Sequence, residues 1–331
     1  MNNSNSVKNK ITRTKFANFL GSMAGLFGLI IIFSILSRAF LTVDNVISIT
    51  LSVAIYATLA CGISFVLIIG GAELSAGSVV GVAGAIFCVS LRAGIPAWIC
   101  IIITIGCGIL CGLFNGFLVT KMHLIPFIAT LGTQYIFRGA TYIISSGSSI
   151  SVREVASEGD LAGLKFIGSG KILGIPMLVY IMVICAVILT IVLSKTTLGR
   201  KIFATGSNVE AARLSGISTD KITTIAYMFS GGMAGLAGVM LTTRLLSAQP
   251  TAGTSFELEG IAASVIGGVS MMGGQGTIPG AVMGAFIVGI MRNGLNLLGV
   301  NTFWQQVITG VIIIVAVWAD IMRRRREASK K

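Results

Sequence analysis

Residues 46–70 read VISITLSVAIYATLACGISFVLIIG, a run without one charged side chain. A bilayer hydrocarbon core of roughly 30 Å is crossed by about 20 helical residues rising about 1.5 Å each, so this stretch spans alone. Comparable apolar runs lie on both sides of it: Gly21–Leu36, Ala97–Val119, Met177–Leu193 and Val307–Ala319. Of the 331 residues, 54% are hydrophobic and 11% charged, whereas a soluble domain carries about 25% charged residues. Mean hydropathy is +0.94. These features predict an all-α fold, a polytopic transmembrane helical bundle of about ten membrane segments with two glycine-rich broken regions. The segments fall near 17–37, 47–70, 78–92, 97–120, 125–145, 175–194, 222–245, 257–271, 277–298 and 303–322.

The net charge of +13 is concentrated in three places. Lys8, Lys10, Arg13 and Lys15 precede the first segment; Lys195, Arg200, Lys201, Arg213 and Lys221 share one internal loop; Arg323–Arg326, Lys330 and Lys331 follow the last segment. Basic residues mark cytoplasmic loops, so all three regions are expected on the cytoplasmic side. An even number of segments returns the C-terminus to that side. The expected organisation is a basic N-terminus at 1–16, a permease domain at 17–322 and a basic tail at 323–331. The charge carries no base-reading pattern, which excludes nucleic acid as a partner and leaves the lipid bilayer. The basic N-terminus and the run behind it mimic a signal peptide, but Ser34–Asp44 offers no small-residue cleavage site, so an uncleaved first span is expected.

The six cysteines, Cys61, Cys88, Cys100, Cys107, Cys111 and Cys185, sit in apolar runs at spacings that suit neither a metal site nor a disulfide framework. They are read as small packing residues. No metal and no cofactor is expected. Small residues recur at four-residue spacing: Gly21/Gly25, Gly77/Gly81, Gly108/Gly112/Gly116, Gly231/Gly235 and Gly280/Gly284. Such positions let helix backbones approach closely in lipid. Packing within the bundle is favoured over a dimer seam for any one pair.

Two glycine-rich breaks, at 70–77 and 267–276, adjoin the short segments 78–92 and 257–271. Each is followed by similar helix, GAIF at 84–87 and GAFI at 284–287. Interrupted segments at matching places in two halves point to a transporter repeat. The pairing suggested by these strings leaves the repeat orientation open.

Against this background one stretch is polar: GRKIFATGSNVEAARLSGI at 199–217, within the loop 195–221. Ser207 or Asn208 is placed to cap a short helix at Val209–Leu214, and Gly216 to end it. Ala211 and Ala212 leave one face smooth. A small knob of this kind suits a groove on a soluble partner; the competing reading is an ordinary solvated connector.

The same stretch resembles the cytoplasmic coupling loop of ribose-type (monosaccharide) ABC importer permeases. So do LTVDN at 41–45, GGAELSAGS at 70–78, NGFLV at 115–119 and IPFIATLGT at 125–133 with Arg138-Gly139. IGGVSMMGGQGT at 266–277 and NGLNLLGV at 293–300 with WQQ at 304–306 complete the resemblance. It runs in order across roughly residues 20–320, and it departs at Glu73, where the family usually has Asp, and at Ala76, where it usually has Val. It implies a bacterial cytoplasmic (inner) membrane permease that is not itself an enzyme and forms a homodimer about a central pathway. It further implies an extracytoplasmic sugar-binding protein and a cytoplasmic ATP-binding cassette subunit that hydrolyses ATP. Gly206, Asn208, Ala211, Ala212, Ser215 and Gly216 would lie at the ATPase contact.

The chain's own phosphate-loop lookalike, KFIGSGKI at 165–172, lacks the first Gly and the final Ser or Thr of that motif. Candidate pathway residues are Glu73, Asn115, Gln134, Asn293, Asn296, Trp304 and Gln305, the polar and aromatic side chains in or beside segments that sugar hydroxyls require; each competes with a plain helix-bridging role. Glu73 is read as a helix-end structural acid more than a gate, with Ser75 and Ser78 satisfying freed backbone groups. Arg138 and Arg292 are expected to reach the outer boundary, and His123 takes no role. The alternative function is an ion-gradient-driven secondary sugar transporter with Glu73 as its coupling acid. The absence of a second acid inside a clear span argues against it, Asp320 standing at an inner end.

Overall fold

A computed structural model describes residues 23–328. The basic segment 1–16, the start of the first expected segment, Gly21 and the terminal lysines 330 and 331 lie outside the described residues, as do the side chains of Arg323–Arg326. Helices occupy each of the ten expected stretches: α1 (Met23–Leu36), α2 (Val43–Ile68), α3 (Ala76–Arg92), α4 (Ala97–Thr120), α5 (Pro126–Ile144), α8 (Met177–Lys195), α11 (Thr219–Leu245), α12 (Phe256–Ile266), α13 (Ile278–Leu297) and α14 (Thr302–Ala328). Between them lie α6 (Val152–Val155), α7 (Glu158–Ser169), α9 (Thr197–Ser207) and α10 (Val209–Leu214). Five of the helices, α2, α4, α8, α11 and α13, are long and apolar enough to cross a membrane by length and composition. The chain is a multi-pass, all-α membrane protein.

The ends of the bundle follow from which loops meet. The loops after α2, α4, α8 and α12 gather at the end that carries α9 and α10, the knob end. Ile68 at the close of α2 accepts a hydrogen bond from the Gly274 amide at 2.8 Å, and Thr120 meets Thr224 at 3.4 Å. At the opposite end, β1 (Ile150–Ser151) pairs antiparallel with β4 (Ser247–Ala248), and Asp160 accepts from the Ala97 amide. The hairpin of β2 (Lys171–Ile172) and β3 (Ile175–Pro176) follows α7.

The stretch 146–174, left between two of the expected segments, contains the helices α6 and α7. The signal for α7 is Ser157 three residues ahead of Asp160: the Ser157 hydroxyl accepts from the Asp160 amide and donates to its carboxylate, an N-cap that satisfies one free N–H at a helix start. The KFIGSGKI string spans the end of α7 and strand β2, the reverse of the strand–loop–helix order a phosphate loop requires.

The glycine-rich repeat is real but paired differently from the sequence expectation. The break at 69–75 between α2 and α3 corresponds to residues 246–255 between α11 and α12, whereas 267–277 is the plain turn joining α12 to α13. The string similarity misled because glycine is demanded by close packing at both places. With this pairing α2 matches α11, α3 matches α12, α4 matches α13 and α5 matches α14. Helix α4 packs on α11 as α13 packs on α2; α3 packs on α5 as α12 packs on α14. Helix α2 runs toward the knob end and α11 away from it, so the repeat is inverted. The two helices pack against each other at the centre, α2 being the most deeply buried of the long helices.

Close packing accounts for the small-residue stripes. A Cβ on Gly108 would strike the Gly231 carbonyl, one on Gly112 the Tyr227 carbonyl, and one on Gly116 the Cα of Thr224 at 2.8 Å. Gly280 and Gly284 meet Gly267 and Ala263 on α12 in the same manner. These stripes bind the bundle together rather than forming a dimer seam, while Gly25 faces open space. The six cysteines are free thiols, buried or half-buried. Replacing Gly112 with leucine is expected to cost about 1–3 kcal/mol or more through overpacking, while Gly132→Ala, in open space inside α5, raises stability by about 0.5–1 kcal/mol; thermal unfolding of the detergent-purified protein checks both.

Candidate functional site

Two polar assemblies stand out from the apolar bundle: the knob and a mid-depth polar belt. Helix α9 begins at Thr196, whose hydroxyl accepts from the Gly199 amide. Asn208 then breaks the helix in extended backbone, and its side chain accepts from the Ala211 amide at 2.9 Å to start α10. Gly216, at φ +78°, ends the knob in the left-handed region that glycine adopts without strain. The short helix thus has the start, span and stop expected of it.

The six expected docking positions divide into two groups. Asn208, Ala211, Ser215 and Gly216 are exposed. Ala212 is buried at 4% exposure and turned in toward its own chain. Gly206 is an internal contact: a Cβ there would land on the Ile68 carbonyl, beside the Gly274 amide. These two residues hold the knob to the bundle. The most exposed apolar side chain of α10 is Leu214, at 88%, with Val209 also exposed; both sit where a partner would bury them, and sequence reasoning passed over them because leucine and valine look unremarkable in a hydrophobic chain.

The expected pathway residues fall into four groupings. Glu73 and Asn115 share a closed network where α3 begins. The Ser75 amide and hydroxyl donate to Glu73 Oε1 at 2.8 and 2.7 Å. Asn115 Nδ2 donates to Ser75 Oγ at 2.8 Å and to Glu73 Oε2 at 3.3 Å. Tyr227 donates to the Ala72 carbonyl at 3.0 Å, tying the break to α11. Both acidic and amide side chains are 1% exposed, so Glu73 is a structural acid well inside the bundle and not at an aqueous boundary. Ser75 satisfies side chains rather than freed backbone groups, and Ser78 Oγ is buried with no hydrogen-bond partner.

Gln134, half-buried on α5, donates to Glu257 at 3.3 Å. Asn293 and Asn45 bond reciprocally at 2.8 and 3.0 Å across α13 and α2. Gln305, buried, donates to Asn296 at 2.7 Å and to the Val300 carbonyl at 2.9 Å, and Trp304 is 64% exposed. These amides bridge helices, and the structure does not bring the expected set into one site.

Two acids escaped the sequence reading. Glu257 and Glu259, on the first turn of α12, are buried at 6% and 7% exposure, which removes the premise that no second acid lies within a segment. They were passed over because they stand at a segment edge, which the re-entrant stretch 246–255 carries inside the bundle. Both expected outward arginines turn inward to meet this region. Arg138 donates to the carbonyls of Ala252 at 2.6 Å and Pro250 at 3.0 Å. Arg292 pairs with Glu259 and donates to the Tyr56 hydroxyl at 3.2 Å. Unpaired carbonyls and a carboxylate at membrane depth bind a guanidinium more strongly than a distant boundary does.

A bundle of apolar helices with an inverted repeat, broken helices and an exposed polar knob defines a membrane transport protein of the permease class. The family model described as a branched-chain amino acid transport system permease component matches residues 45–317, and the chain belongs to that family. It is similar to a ribose import permease protein of Bacillus subtilis, 42% identical with 91% of this chain and 92% of that protein covered. The Escherichia coli K12 ribose import permease is 39% identical over 90% and 92%, and that bacterium's xylose transport system permease is 33% identical over 87% of each chain. No solved structure matches.

Removing the Glu73 carboxylate with Glu73→Ala strands the Ser75 and Asn115 donors and is expected to cost about 1–3 kcal/mol. Glu73→Gln, which keeps an acceptor oxygen, loses less; thermal unfolding of the two variants in detergent measures the difference.

Proposed function

We propose that this chain is the membrane permease subunit of an ATP-driven importer for a monosaccharide of the ribose or xylose kind, working in the bacterial inner membrane with both termini cytoplasmic. In this reading the ten helices of the repeat and its flanks cross the bilayer. A second copy completes the pathway, an extracytoplasmic binding protein delivers the sugar, and a cytoplasmic ATP-binding cassette subunit docks on the knob. The chain moves solute and catalyses no covalent reaction. The named relatives support the sugar class, while the family description leaves a branched-chain amino acid as the competing solute.

The observation that carries the mechanism is the seat of the knob. Gly206 lies against the Ile68 carbonyl, which also accepts from Gly274. A push on α10 therefore reaches the end of α2, the 69–75 break and the α12–α13 turn together. No flexible side chain intervenes to absorb it. Such backbone contacts shift as rigid units between discrete arrangements. The gradient-driven alternative loses the acid first assigned to it, since both Glu73 oxygens already accept from Ser75 and Asn115, and the carboxylates left to it are the buried Glu257 and Glu259.

Proteoliposomes holding the permease, its ATPase and its binding protein should take up ribose or xylose, and not leucine, only with ATP. Uptake by the purified chain under a proton gradient without nucleotide overturns the reading. Leu214→Glu should weaken ATPase docking by about thirtyfold, the loss of an interface anchor of about 2 kcal/mol, and reduce uptake at unchanged membrane abundance. Normal uptake by this variant removes the knob from the coupling path.

A further inference from the structure

Where α2, α11, α12 and α13 converge, Ser52, Tyr56, Arg244, Phe256, Glu259 and Arg292 form one cluster. Arg244 Nη1 donates to Ser52 Oγ at 3.0 Å. Arg292 pairs with Glu259, donates to the Tyr56 hydroxyl at 3.2 Å, and lies with its guanidinium 5.9 Å from the Tyr56 ring centroid. The Tyr56 and Phe256 rings meet edge to face at 4.9 Å. Ser52 lies one helical turn from exposed Ser48 on the same face of α2, toward the end opposite the knob.

Three features mark this cluster as a ligand site rather than a closed structural pair. The Arg292 side chain is 39% exposed, and charge at membrane depth faces water or protein, not lipid. Arg244 meets no carboxylate among the described residues. Glu259 is 7% exposed, yet its Oε2 has no hydrogen-bond partner, and a buried acceptor left unmade is costly. The cluster thus holds an acceptor that needs a donor and guanidinium donors that need acceptors, beside the Tyr56–Phe256 ring pair. An anion supplies no donor to Glu259, and a cation is repelled by two arginines. A ring of neutral hydroxyls supplies donors and acceptors together.

We infer that the Glu259–Arg292–Arg244–Tyr56 cluster is a sugar subsite within the permease itself, a weak station where a neutral monosaccharide rests after leaving the binding protein. The identity of the solute rests on the importer reading; the site's geometry does not.

Ser48→Cys, exposed at the mouth of the cluster, reports occupancy in the full-length permease without any ATPase or binding protein. Ribose or xylose at about ten times its dissociation constant should slow labelling of this cysteine by a water-soluble maleimide about tenfold, relative to the parent chain with its native cysteines. Phosphate should not. Glu259→Gln, placed beside Ser48→Cys, should raise the half-protecting sugar concentration about tenfold through the lost acceptor. Labelling unaffected by either sugar, or slowed by phosphate instead, overturns the subsite. Protection by sugar in a permease whose complete assembly fails to import it keeps the subsite and overturns the importer reading alone.

Discussion

The carbonyl oxygen of Ile68 is the junction on which the mechanical reading turns. It ends the most buried of the long helices, accepts the Gly274 amide, and is overlain by Gly206 of the knob helix. Three chain segments separated by more than sixty residues each (68, 206 and 274) meet through backbone atoms alone. Backbone contact at this range admits little sliding, because no rotamer change relieves it. The Tyr227–Ala72 bond, a short distance along the break, adds α11 to the same junction.

From that junction the polar groups are distributed by depth. The Glu73 network lies between the junction and the middle of the bundle and is closed on itself, with one orphan, Asn115 Oδ1. Apart from it lie Glu257 with Gln134, and Glu259 with Arg292 and Tyr56. The first network holds the break in shape and the last presents unfilled hydrogen-bonding capacity. Burying polar groups in a bundle of this kind is tolerable only when their partners are fixed or water reaches them; the Glu73 network takes the first course, while Glu259 Oε2 has no hydrogen-bond partner and is buried.

Much of the helix order was legible in the sequence, because uninterrupted apolar runs and the basic loop at 195–221 leave little choice of class. The start, span and stop of α10 were also legible, since Asn208 and Gly216 act through local backbone geometry. The repeat pairing was not: glycine at 267–276 serves helix contact while the true counterpart of 70–77, residues 246–255, carries only one glycine, Gly253. The polar belt was legible only in part. Asn115, Gln134 and Asn293 were marked by residue type, but their partners Ser75, Glu257 and Asn45 depend on tertiary approach, which a single sequence does not display. Glu257 and Glu259 escaped because hydropathy places acids at segment edges, and here an edge is folded inward.

Helix α8 has a consequence for how such a chain is built. It is the single long helix joining the two four-helix units, carrying the chain from the end where α5 finishes to the end where α11 starts. One traverse between the units gives odd parity, and odd parity is what sets the second unit upside down relative to the first. With α8 deleted, or doubled, both units would enter the bilayer in the same sense, and the central antiparallel pairing of α2 with α11 would be lost. A helix that contributes little to the interior therefore decides the symmetry of the whole molecule.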